Sequence, residues 1–232
     1  MLAGGAGTRL RPYTDHVPKP LLQVGGKPIL EWQFKWLAKN GVKRVLLAVG
    51  YKAEQVIEFV EGGNWMQEID FIREETPLGT AGGLKLAAKE LDENFFMVNG
   101  DQITNLNLAE MGEFHLQKGN LATLYVHPLE DVSGYGVVEM KGDKIIRFVE
   151  KPAPEEAPSN LISGGIYALK KKILEFIPKG KCSIEREVFP KLAEKRELNG
   201  FVSRKMVYWT GNDSVEDLRK TDEYLRFGVV KI

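Results

Sequence analysis

The sequence has a single cysteine, no long apolar run and no visible leader. Cys182 is the only cysteine in 232 residues, which excludes an intrachain disulfide and a cysteine metal cluster. No apolar run approaches the roughly 20 residues that a membrane span requires. Met1 leads directly into a glycine cluster, so that no signal peptide is visible. We therefore expect a cytoplasmic protein that does not bind membranes.

Charge of one sign is also lacking. Lys and Arg together number 32, as do Asp and Glu, so that the formal net charge is zero. This balance argues against a nucleic-acid-binding surface, and any attraction for phosphate must be local. The three histidines are scattered, and their spacing does not indicate a metal site. The hydrophobic fraction of 43% is enough for the core of one domain, or of a domain with a small lobe.

A glycine cluster stands at the start of the chain, as Gly4-Gly5-Ala6-Gly7, and two cations follow it at Arg9 and Lys19. Glycine permits backbone conformations closed to other residues and lets N–H groups approach a ligand closely. Arginine supplies a planar fork of donors and lysine a point charge. The combination suits a polyphosphate. The alternative is a glycine-rich surface turn with solvated basic residues.

Two common nucleotide-binding motifs do not fit this loop. A dinucleotide fingerprint requires a third glycine where Leu10 stands. A Walker loop ends in Gly-Lys-Ser/Thr, whereas this chain has Gly7-Thr8-Arg9. Neither motif therefore explains the segment.

Strand and helix patterns alternate over the first hundred residues, which predicts a right-handed α/β sheet. The predicted strands are 44–49, 69–73 and 95–98, and the predicted helices are 28–40, 53–60 and 80–91. Later in the chain we expect helices at 109–117, 185–194 and 215–225, strands at 121–127, 166–169 and 202–208, and a hairpin around 141–143. Pro190 should break or shift its helix.

The predicted first strand is very short. Only Met1, Leu2 and Ala3 precede the glycine cluster, whereas a phosphate loop normally follows a full parallel strand. We expect that the chain is shortened at its start and that the loop is loosened as a result.

Asn99-Gly100-Asp101 follows an apolar strand, at the sheet edge where open α/β folds place their ligands. A carboxylate there can hold Mg²⁺ between nucleotide phosphate oxygens. The same three residues could instead form a plain type I′ turn.

Two further segments allow a functional and a structural interpretation. The loop from Pro77 to Gly83 could admit a flat base, or could be a tight loop with Thr80 as N-cap. Glu150-Lys151-Pro152 could bind sugar hydroxyls and a sugar phosphate, or could be a solvated charge pair at a strand end.

The first twenty residues resemble the sugar-1-phosphate nucleotidylyltransferases. The family signature G-x-G-T-R-L-x-P-x-T is matched from Gly5 to Thr14, and its P-K-P from Pro18 to Pro20. The resemblance implies a three-layer α/β/α Rossmann-like nucleotidyltransferase fold with a mixed, mostly parallel central sheet. It also implies one catalytic domain over 1–232, with a nucleotide-binding half at 1–107, a sugar-phosphate-binding half at 108–232 and no hexapeptide-repeat domain.

The activity that the resemblance implies is transfer of a nucleoside monophosphate from a nucleoside triphosphate to a hexose-1-phosphate, with release of pyrophosphate. Leu-Gly-Thr-Ala-Gly, here at 78–82, is common in mannose-1-phosphate guanylyltransferases and tilts the choice toward them. The alternatives are a thymidylyl- or uridylyltransferase acting on glucose-1-phosphate, a cytidylyltransferase acting on an alcohol phosphate, and a non-catalytic sugar-nucleotide-binding regulator. Oligomeric state stays open.

The resemblance assigns roles to individual residues. Arg9 and Lys19 would be catalytic, and Asp101 would hold Mg²⁺ as the cofactor. Nucleotide contacts would come from Leu2, Gly4, Gly5, Gly7, Thr8, Gly79, Thr80 and Gly100. Sugar-phosphate contacts would come from Gly136, Glu150, Lys151 and Ser163.

Two departures from the family pattern bear on these roles. Ser163 replaces the asparagine of Asn-Ala-Gly-Ile-Tyr and lacks its paired donor and acceptor, which puts the identity of the sugar in doubt. Gly211 stands where the family has its second metal-binding aspartate. Asp213 could substitute as a metal ligand, or could cap the last helix with Glu216 as its capping-box partner. The pattern favours the cap.

Overall fold

The computed structural model describes residues 1–229 and 232. Its internal packing divides the chain into two compact units. Unit 1 comprises Met1–Pro77, Asn99–Asn107 and Met206–Ile232, and unit 2 comprises Leu78–Val98 and Leu108–Lys205. The chain therefore crosses from one unit to the other four times. One crossing, after Asn107, coincides with the predicted boundary between the two halves.

The α-helices of the described residues are α1 Tyr13–His16, α2 Ile29–Lys39, α3 Ala53–Glu61, α4 Gly79–Leu86, α5 Leu108–Lys118, α6 Phe189–Glu194 and α7 Val215–Arg226. The strands are β1 Gln23–Val24, β2 Lys27–Pro28, β3 Arg44–Val49, β4 Glu68–Arg73, β5 Asn94–Val98, β6 Ile103–Thr104, β7 Ala122–Pro128, β8 Gly136–Lys141, β9 Lys144–Glu150, β10 Leu161–Lys170, β11 Leu198–Phe201 and β12 Trp209–Thr210. None of the described helices is both long and apolar enough to cross a membrane.

Unit 1 contains the parallel pairing that the alternating pattern predicts. β3 pairs with β4 in parallel. Leu2 forms parallel bridges to Ala48 on one side and to Asn99 on the other. The residues before the glycine cluster therefore lie between strand β3 and the residue that follows β5. β6 and β12 pair antiparallel.

The core of unit 1 includes a cluster around Val24, Ile29 and Ile103, against which Trp32 and Leu225 pack. These residues come from the first hairpin, α2, β6 and α7, so that the last helix is held by apolar contacts with the first forty residues. The apolar spacing of α2 produces this arrangement, because positions three and four apart share one helix face.

Unit 2 is built on a six-stranded mixed sheet in the order β5-β10-β7-β11-β9-β8. Only the β7–β11 pair of this sheet is parallel. The ring of Phe189 lies 5.0 Å from that of Tyr167 and 5.5 Å from that of Phe148, so that α6 packs on the strands through aromatic contacts. The predicted mixed α/β class is confirmed, but the expectation of a mostly parallel sheet is wrong for unit 2, because its strands from β7 to β10 are joined by antiparallel pairs.

Most of the predicted elements are present within a few residues of their predicted ends. β8 and β9 form the predicted hairpin, with Gly142 in the left-handed region at φ 58°. The effect of Pro190 is also confirmed: it lies in the first turn of α6, and a wider helical turn, Ile184–Val188, precedes it. The predicted single helix is thus two segments.

The predicted strand at 202–208 is wrong. β11 ends at Phe201 and β12 begins at Trp209. Between them the Ser203 hydroxyl accepts a hydrogen bond from the Lys205 N–H and donates one to the Lys205 carbonyl. This local turn takes up backbone groups that a strand would have paired.

Candidate functional site

The glycine cluster is anchored by the residues before it. The Ala48 N–H donates to the Met1 carbonyl, and the Ala3 N–H donates to the Ala48 carbonyl. On the other side the Gly100 N–H donates to the Leu2 carbonyl at 2.7 Å. A Cβ on Gly100 would lie 2.3 Å from that carbonyl oxygen. Gly100, expected to contact the nucleotide, thus has a packing reason to be glycine.

The glycines of the cluster have different surroundings. Gly7 adopts φ 61°, and a Cβ there would lie 2.9 Å from Thr14 Cγ2. The Thr14 hydroxyl also donates to the Gly7 carbonyl. A Cβ on Gly4 would lie 3.2 Å from the Gly50 nitrogen, whereas one on Gly5 would meet no heavy atom of the described residues within 4 Å. Gly4 and Gly7 therefore shape the loop, and Gly5 leaves its face open.

Four charged residues of unit 1 meet beside this loop, and we call Arg9, Lys19, Asp101 and Asp213 the lysine cluster. Lys19 Nζ lies 2.6 Å from Asp101 Oδ2 and 2.7 Å from Asp213 Oδ1, and Arg9 Nη2 lies 2.7 Å from the same Asp213 oxygen. The Lys19 side chain is 10% exposed, whereas that of Arg9 is 56% exposed. The fold thus brings together both predicted catalytic cations and both predicted metal carboxylates.

The electrostatics of the lysine cluster follow from two carboxylates sharing one buried ammonium. Burial alone lowers the pKa of Lys19, but Asp101 and Asp213 outweigh it, so that the pKa is raised. Burial raises the pKa of Asp101, and the like charge of Asp213 adds to this against the opposing effect of Lys19. The ammonium is therefore stabilised in its charged form, and the paired carboxylates repel each other.

Asp213 does not cap the last helix, so that this expectation is wrong. The N-cap of α7 is Ser214, whose hydroxyl accepts from the Asp217 N–H, while the Asp217 carboxylate accepts from the Ser214 N–H. The capping box therefore begins one residue later than expected, with Asp217 rather than Glu216 as its acid. The Asp217 carboxylate also accepts from the Asp213 N–H at 3.2 Å.

The neighbouring residue Asn212 explains how Asp213 reaches Lys19. Asn212 is fully buried and adopts the left-handed conformation at φ 45°, which asparagine tolerates better than most residues. Its side-chain amide donates to the Asp101 carbonyl at 3.0 Å. Asn212 therefore fixes the backbone next to both carboxylates.

The alternative of a type I′ turn at Asn99-Gly100-Asp101 is also excluded. Such a turn requires positive φ at two consecutive residues, and none of these three residues has a positive φ. The segment instead continues from the bridge to Leu2 and carries Asp101 to Lys19.

The lysine cluster fits a magnesium ion that is completed by substrate oxygens. No group of three or more His, Cys, Asp or Glu side chains in the described part of the chain could hold a metal. Mg²⁺, however, is commonly bound by one or two carboxylates together with substrate phosphates. Asp101 and Asp213 both contact a single nitrogen atom, so that they converge on one point where positive charge is favoured.

In unit 2, Glu150 and Lys151 lie at the end of β9. Lys151 Nζ is 3.8 Å from Glu150 Oε1, and Lys151 adopts the left-handed region at φ 52°. A non-glycine residue in this region stores strain, which is common at ligand sites. Gly136 pairs with Glu150 across the strands, and a Cβ there would lie 2.6 Å from Phe148 Cζ and 3.0 Å from Glu150 Oε2. Gly136 thus makes room for the glutamate.

The surroundings of Glu150 disfavour the ionised form of its carboxyl group. Its side chain is 15% exposed. Burial raises the pKa of Glu150 and the negative charge of Glu185 raises it further, while Lys151 and Arg186 offset only part of this. An arrangement that keeps a glutamate where its charge is disfavoured is typical of binding and catalytic sites.

The glycines of the loop from Pro77 to Gly83 are explained by packing. Gly79 has φ 74°, and a Cβ there would lie 2.5 Å from the Cys182 carbonyl oxygen. A Cβ on Gly82 would lie 2.8 Å from the Gly180 carbonyl oxygen. Within unit 2 these glycines therefore admit segment 180–182, so that they do not by themselves indicate room for a base. Thr80 is not the N-cap, because α4 begins at Gly79 and Leu78 precedes it.

The other sequence-predicted contacts differ in accessibility. Thr8 is exposed, and Leu2 is half-buried. Ser163 lies in β10 beside a bulge, is 8% exposed, and its hydroxyl makes no hydrogen bond within the described residues. A buried hydroxyl without a protein partner has its donor and acceptors available to a ligand.

The sequence reasoning missed three residues at these sites: Asn212, Asp217 and Glu185. A signal existed for two of them. Asn212 is of the residue type that tolerates positive φ, and Ser214-x-x-Asp217 resembles a capping box. Glu185 contacts Thr80, which is 105 residues away in the sequence, and no local sequence pattern identifies it as a site residue.

The fold, with a glycine loop after a parallel bridge, is that of the Rossmann-like α/β proteins. The match to a family model is more specific. The chain belongs to the nucleotidyl transferase family, whose model matches residues 1–226.

Curated relatives of this chain share about two fifths of its residues. A mannose-1-phosphate guanyltransferase of Yarrowia lipolytica is 43% identical over 208 residues, which are 87% of this chain and 57% of the relative. A mannose-1-phosphate guanylyltransferase catalytic subunit beta of Drosophila pseudoobscura pseudoobscura is 43% identical over 204 residues, 85% of this chain and 54% of the relative. The chain thus spans about half the length of these relatives.

Solved structures share the whole fold. HddC from Yersinia pseudotuberculosis, in a complex with GMP-PN, has a TM-score of 0.82 and 32% identity, over 96% of each chain. A UDP-glucose pyrophosphorylase in complex with UDP-glucose has a TM-score of 0.83 over 98% of this chain and 97% of its own. The latter is 20% identical and supports the fold alone.

Proposed function

We propose that the protein transfers a nucleoside monophosphate from a nucleoside triphosphate to a hexose-1-phosphate and releases pyrophosphate. The observation that carries this proposal is the lysine cluster. Lys19 is held between Asp101 and Asp213 beside a loop whose Gly5 faces open space, with Arg9 at 2.7 Å from the second carboxylate. Such a site offers positive charge and backbone donors to phosphate groups.

The chemistry requires positioning and charge neutralisation. The nucleophile is a phosphate oxygen that is already anionic near neutral pH, because the second pKa of a phosphomonoester is about 6. No general base is needed, and phosphoryl transfer depends largely on orientation and electrostatics. Arg9 would stabilise charge on the leaving pyrophosphate, and Lys19 would neutralise the phosphate under attack.

Magnesium is part of the proposal as a cofactor. Asp101 and Asp213 would hold it, and it would supply positive charge to the triphosphate oxygens. Lys19 contacts the same carboxylates, so that it would keep them oriented before the ion and the nucleotide bind.

Residues of unit 2 would bind the sugar phosphate. Glu150, with its raised pKa, would accept hydrogen bonds from sugar hydroxyls when ionised, and Lys151 would pair with the phosphate. The unpartnered hydroxyl of Ser163 would contact the sugar.

We propose guanine as the base and mannose as the sugar. The support for both comes from the two mannose-1-phosphate guanylyltransferases that are 43% identical, and that for guanine also from the 32% identical HddC complex with GMP-PN. The thymidylyl- and uridylyltransferase alternatives rest on the shared fold and on the family signature, which does not distinguish between the bases.

The test is a matrix of nucleoside triphosphates and hexose-1-phosphates, with and without Mg²⁺, read by pyrophosphate release. GTP with mannose-1-phosphate and Mg²⁺ should give the highest kcat/KM. No turnover in any combination would overturn the proposal. Calorimetry with nucleotide sugars would then distinguish a non-catalytic regulator, which binds them tightly, from a protein that binds none.

A further inference from the structure

Segment 182–185 of unit 2 is bonded along its backbone to the loop that follows Pro77. The Cys182 N–H donates to the Leu78 carbonyl at 2.8 Å. The Cys182 carbonyl in turn accepts from the Ala81 N–H at 3.0 Å and from the Gly82 N–H at 3.3 Å. These bonds, with the close approach at the two glycines described above, fix the loop against the segment.

The carboxylate of Glu185 adds side-chain bonds to this contact. Glu185 Oε2 accepts from the Thr80 hydroxyl at 2.6 Å and from the Ser183 hydroxyl at 2.8 Å. Glu185 Oε1 accepts from the Tyr167 hydroxyl at a longer distance of 3.5 Å. One carboxylate therefore joins α4 and its own segment to β10.

The Thr80 hydroxyl is oriented as a result. Its only hydrogen is directed to Glu185, and one of its lone pairs accepts from the Ile184 N–H at 2.9 Å. A hydroxyl has one hydrogen and two lone pairs. Thr80 and Glu185 are both half-buried and reachable from solvent. Thr80 thus offers a ligand one lone pair and no hydrogen.

We infer that Glu185 is a positioning residue for segment 77–83, where it presents Thr80 to the nucleotide as a hydrogen-bond acceptor. This inference rests on the proposed function, in which Thr80 contacts the nucleotide. Its consequence is that loss of Glu185 weakens the binding of the nucleoside triphosphate, while the reacting groups of the lysine cluster stay intact.

The experiment compares Glu185→Ala, Thr80→Val and their double variant, with Glu187→Gln as control. Glu187 lies two residues away and is exposed, and its carboxylate accepts from the Ser183 N–H rather than from the Thr80 hydroxyl. Glu185→Ala and Thr80→Val should each raise KM for the nucleoside triphosphate about tenfold, as expected for one hydrogen bond, with kcat changed less than about threefold. The double variant should be no worse than either single one, and Thr80→Ser, which keeps the hydroxyl, should restore KM.

A second measurement does not depend on turnover. Hydrogen exchange of the Ala81, Gly82 and Ile184 amides should accelerate in Glu185→Ala and stay unchanged in Glu187→Gln. Unchanged exchange, or additive KM effects in the double variant, would overturn the inference. A wild-type protein with no turnover overturns the proposed function instead, and the exchange result then decides the positioning role by itself.

Discussion

The charge cluster of unit 1 centres on a buried lysine, whereas that of unit 2 centres on glutamates. In unit 1, Lys19 lies between two carboxylates, and its pKa is raised because its charge is favoured. In unit 2, Glu150 lies in a partly buried position near Glu185, and its pKa is raised because its charge is disfavoured. The same direction of shift therefore has opposite meanings for an ammonium and for a carboxyl group.

This difference suits two kinds of ligand. A site that handles phosphates needs cations that keep their charge, and the carboxylates around Lys19 ensure this. A site that handles sugar hydroxyls needs strong acceptors, and a desolvated glutamate supplies one at a cost to stability. Removing charge should therefore destabilise the first cluster and stabilise the second.

The largest effect is expected for Lys19→Met, which removes the ammonium and keeps a chain of similar length. Asp101 and Asp213 would then face each other without the cation that pairs them both, which costs about 3–5 kcal/mol for a buried pair and less where the pair is partly exposed. Because the pKa of Lys19 is raised in the folded state, its contribution to the free energy of unfolding is fully present below the pKa of an unfolded lysine, and therefore at neutral pH. Urea unfolding at pH 7 measures it, and the deficit should shrink on acidification as Asp101, whose pKa is raised, becomes protonated.

The control for Lys19→Met is Lys27→Met, which removes a 40% exposed lysine of β2 that pairs with Glu31, a carboxylate that keeps its second partner Lys35. Surface pairs contribute little, and the unfolding midpoint should stay close to that of the wild type. Equal losses in the two variants would mean that the lysine cluster is no more stabilising than a surface pair.

The next effect concerns rate and leaves the fold unchanged. Arg9→Ala should raise the barrier by roughly 2.7–4 kcal/mol, if Arg9 stabilises the leaving pyrophosphate as an oxyanion donor does. Arg11→Ala is the matched control, because Arg11 is similarly exposed and pairs only with Asp15 among the ion pairs described. Single-turnover measurements of pyrophosphate release distinguish the two. An unchanged rate in Arg9→Ala would remove its proposed role.

In unit 2 the expected sign is reversed. Glu150→Gln should stabilise the fold at neutral pH by roughly 0.5–2 kcal/mol, because a carboxyl group with a raised pKa costs stability while it is ionised. The gain should shrink as pH falls below that raised pKa and vanish below the pKa of an unfolded glutamate. KM for the sugar-1-phosphate should rise at least about tenfold. Glu155→Gln, on an exposed turn, should change neither quantity, and a destabilised Glu150→Gln would contradict the comparison.

The parts of the fold that the sequence predicts well are those with local signals. Apolar runs such as Arg44–Val49 and the Gly142 hairpin need no partner to be recognised, and both are present. The strand expected at 202–208 failed because Ser203 bonds to Lys205 within the segment. A side chain that competes locally for backbone groups is hard to distinguish by pattern from one that does not.

The candidate site shows the same limit. Motif matches brought forward Arg9, Lys19 and Asp101, which the structure places together. They named Asp213 as a possible metal ligand but favoured it as a cap, because its place beside Lys19 depends on the left-handed Asn212 and on a cap shifted by one residue. Nor could they reveal that Gly79 and Gly82 are glycines because another segment packs on them. Such contacts are set by tertiary structure.

The smallest effect is expected from the capping box of Ser214 and Asp217, which contacts the lysine cluster through the Asp213 N–H. Asp217→Ala removes the acceptor for the Ser214 N–H and for the Asp213 N–H. The loss of a capping interaction costs about 1 kcal/mol, so that thermal unfolding should occur a few degrees lower. Because Asp213 is freed, KM for the nucleoside triphosphate should rise a few fold, as for the loss of one modest hydrogen bond, while KM for the sugar-1-phosphate stays constant.

The matched control is Glu216→Ala, one residue away on the same turn. Glu216 is exposed, and its described partners are Arg219 and Lys220, so that neither the unfolding midpoint nor either KM should change. A larger loss in Glu216→Ala than in Asp217→Ala would restore the cap to Asp213 and separate Asp213 from the lysine cluster. A larger effect of Asp217→Ala than of Glu216→Ala would show that this helix cap of unit 1 affects binding of the nucleoside triphosphate. The effect is expected for that substrate alone, because Asp217 is proposed to act through its hydrogen bond with Asp213.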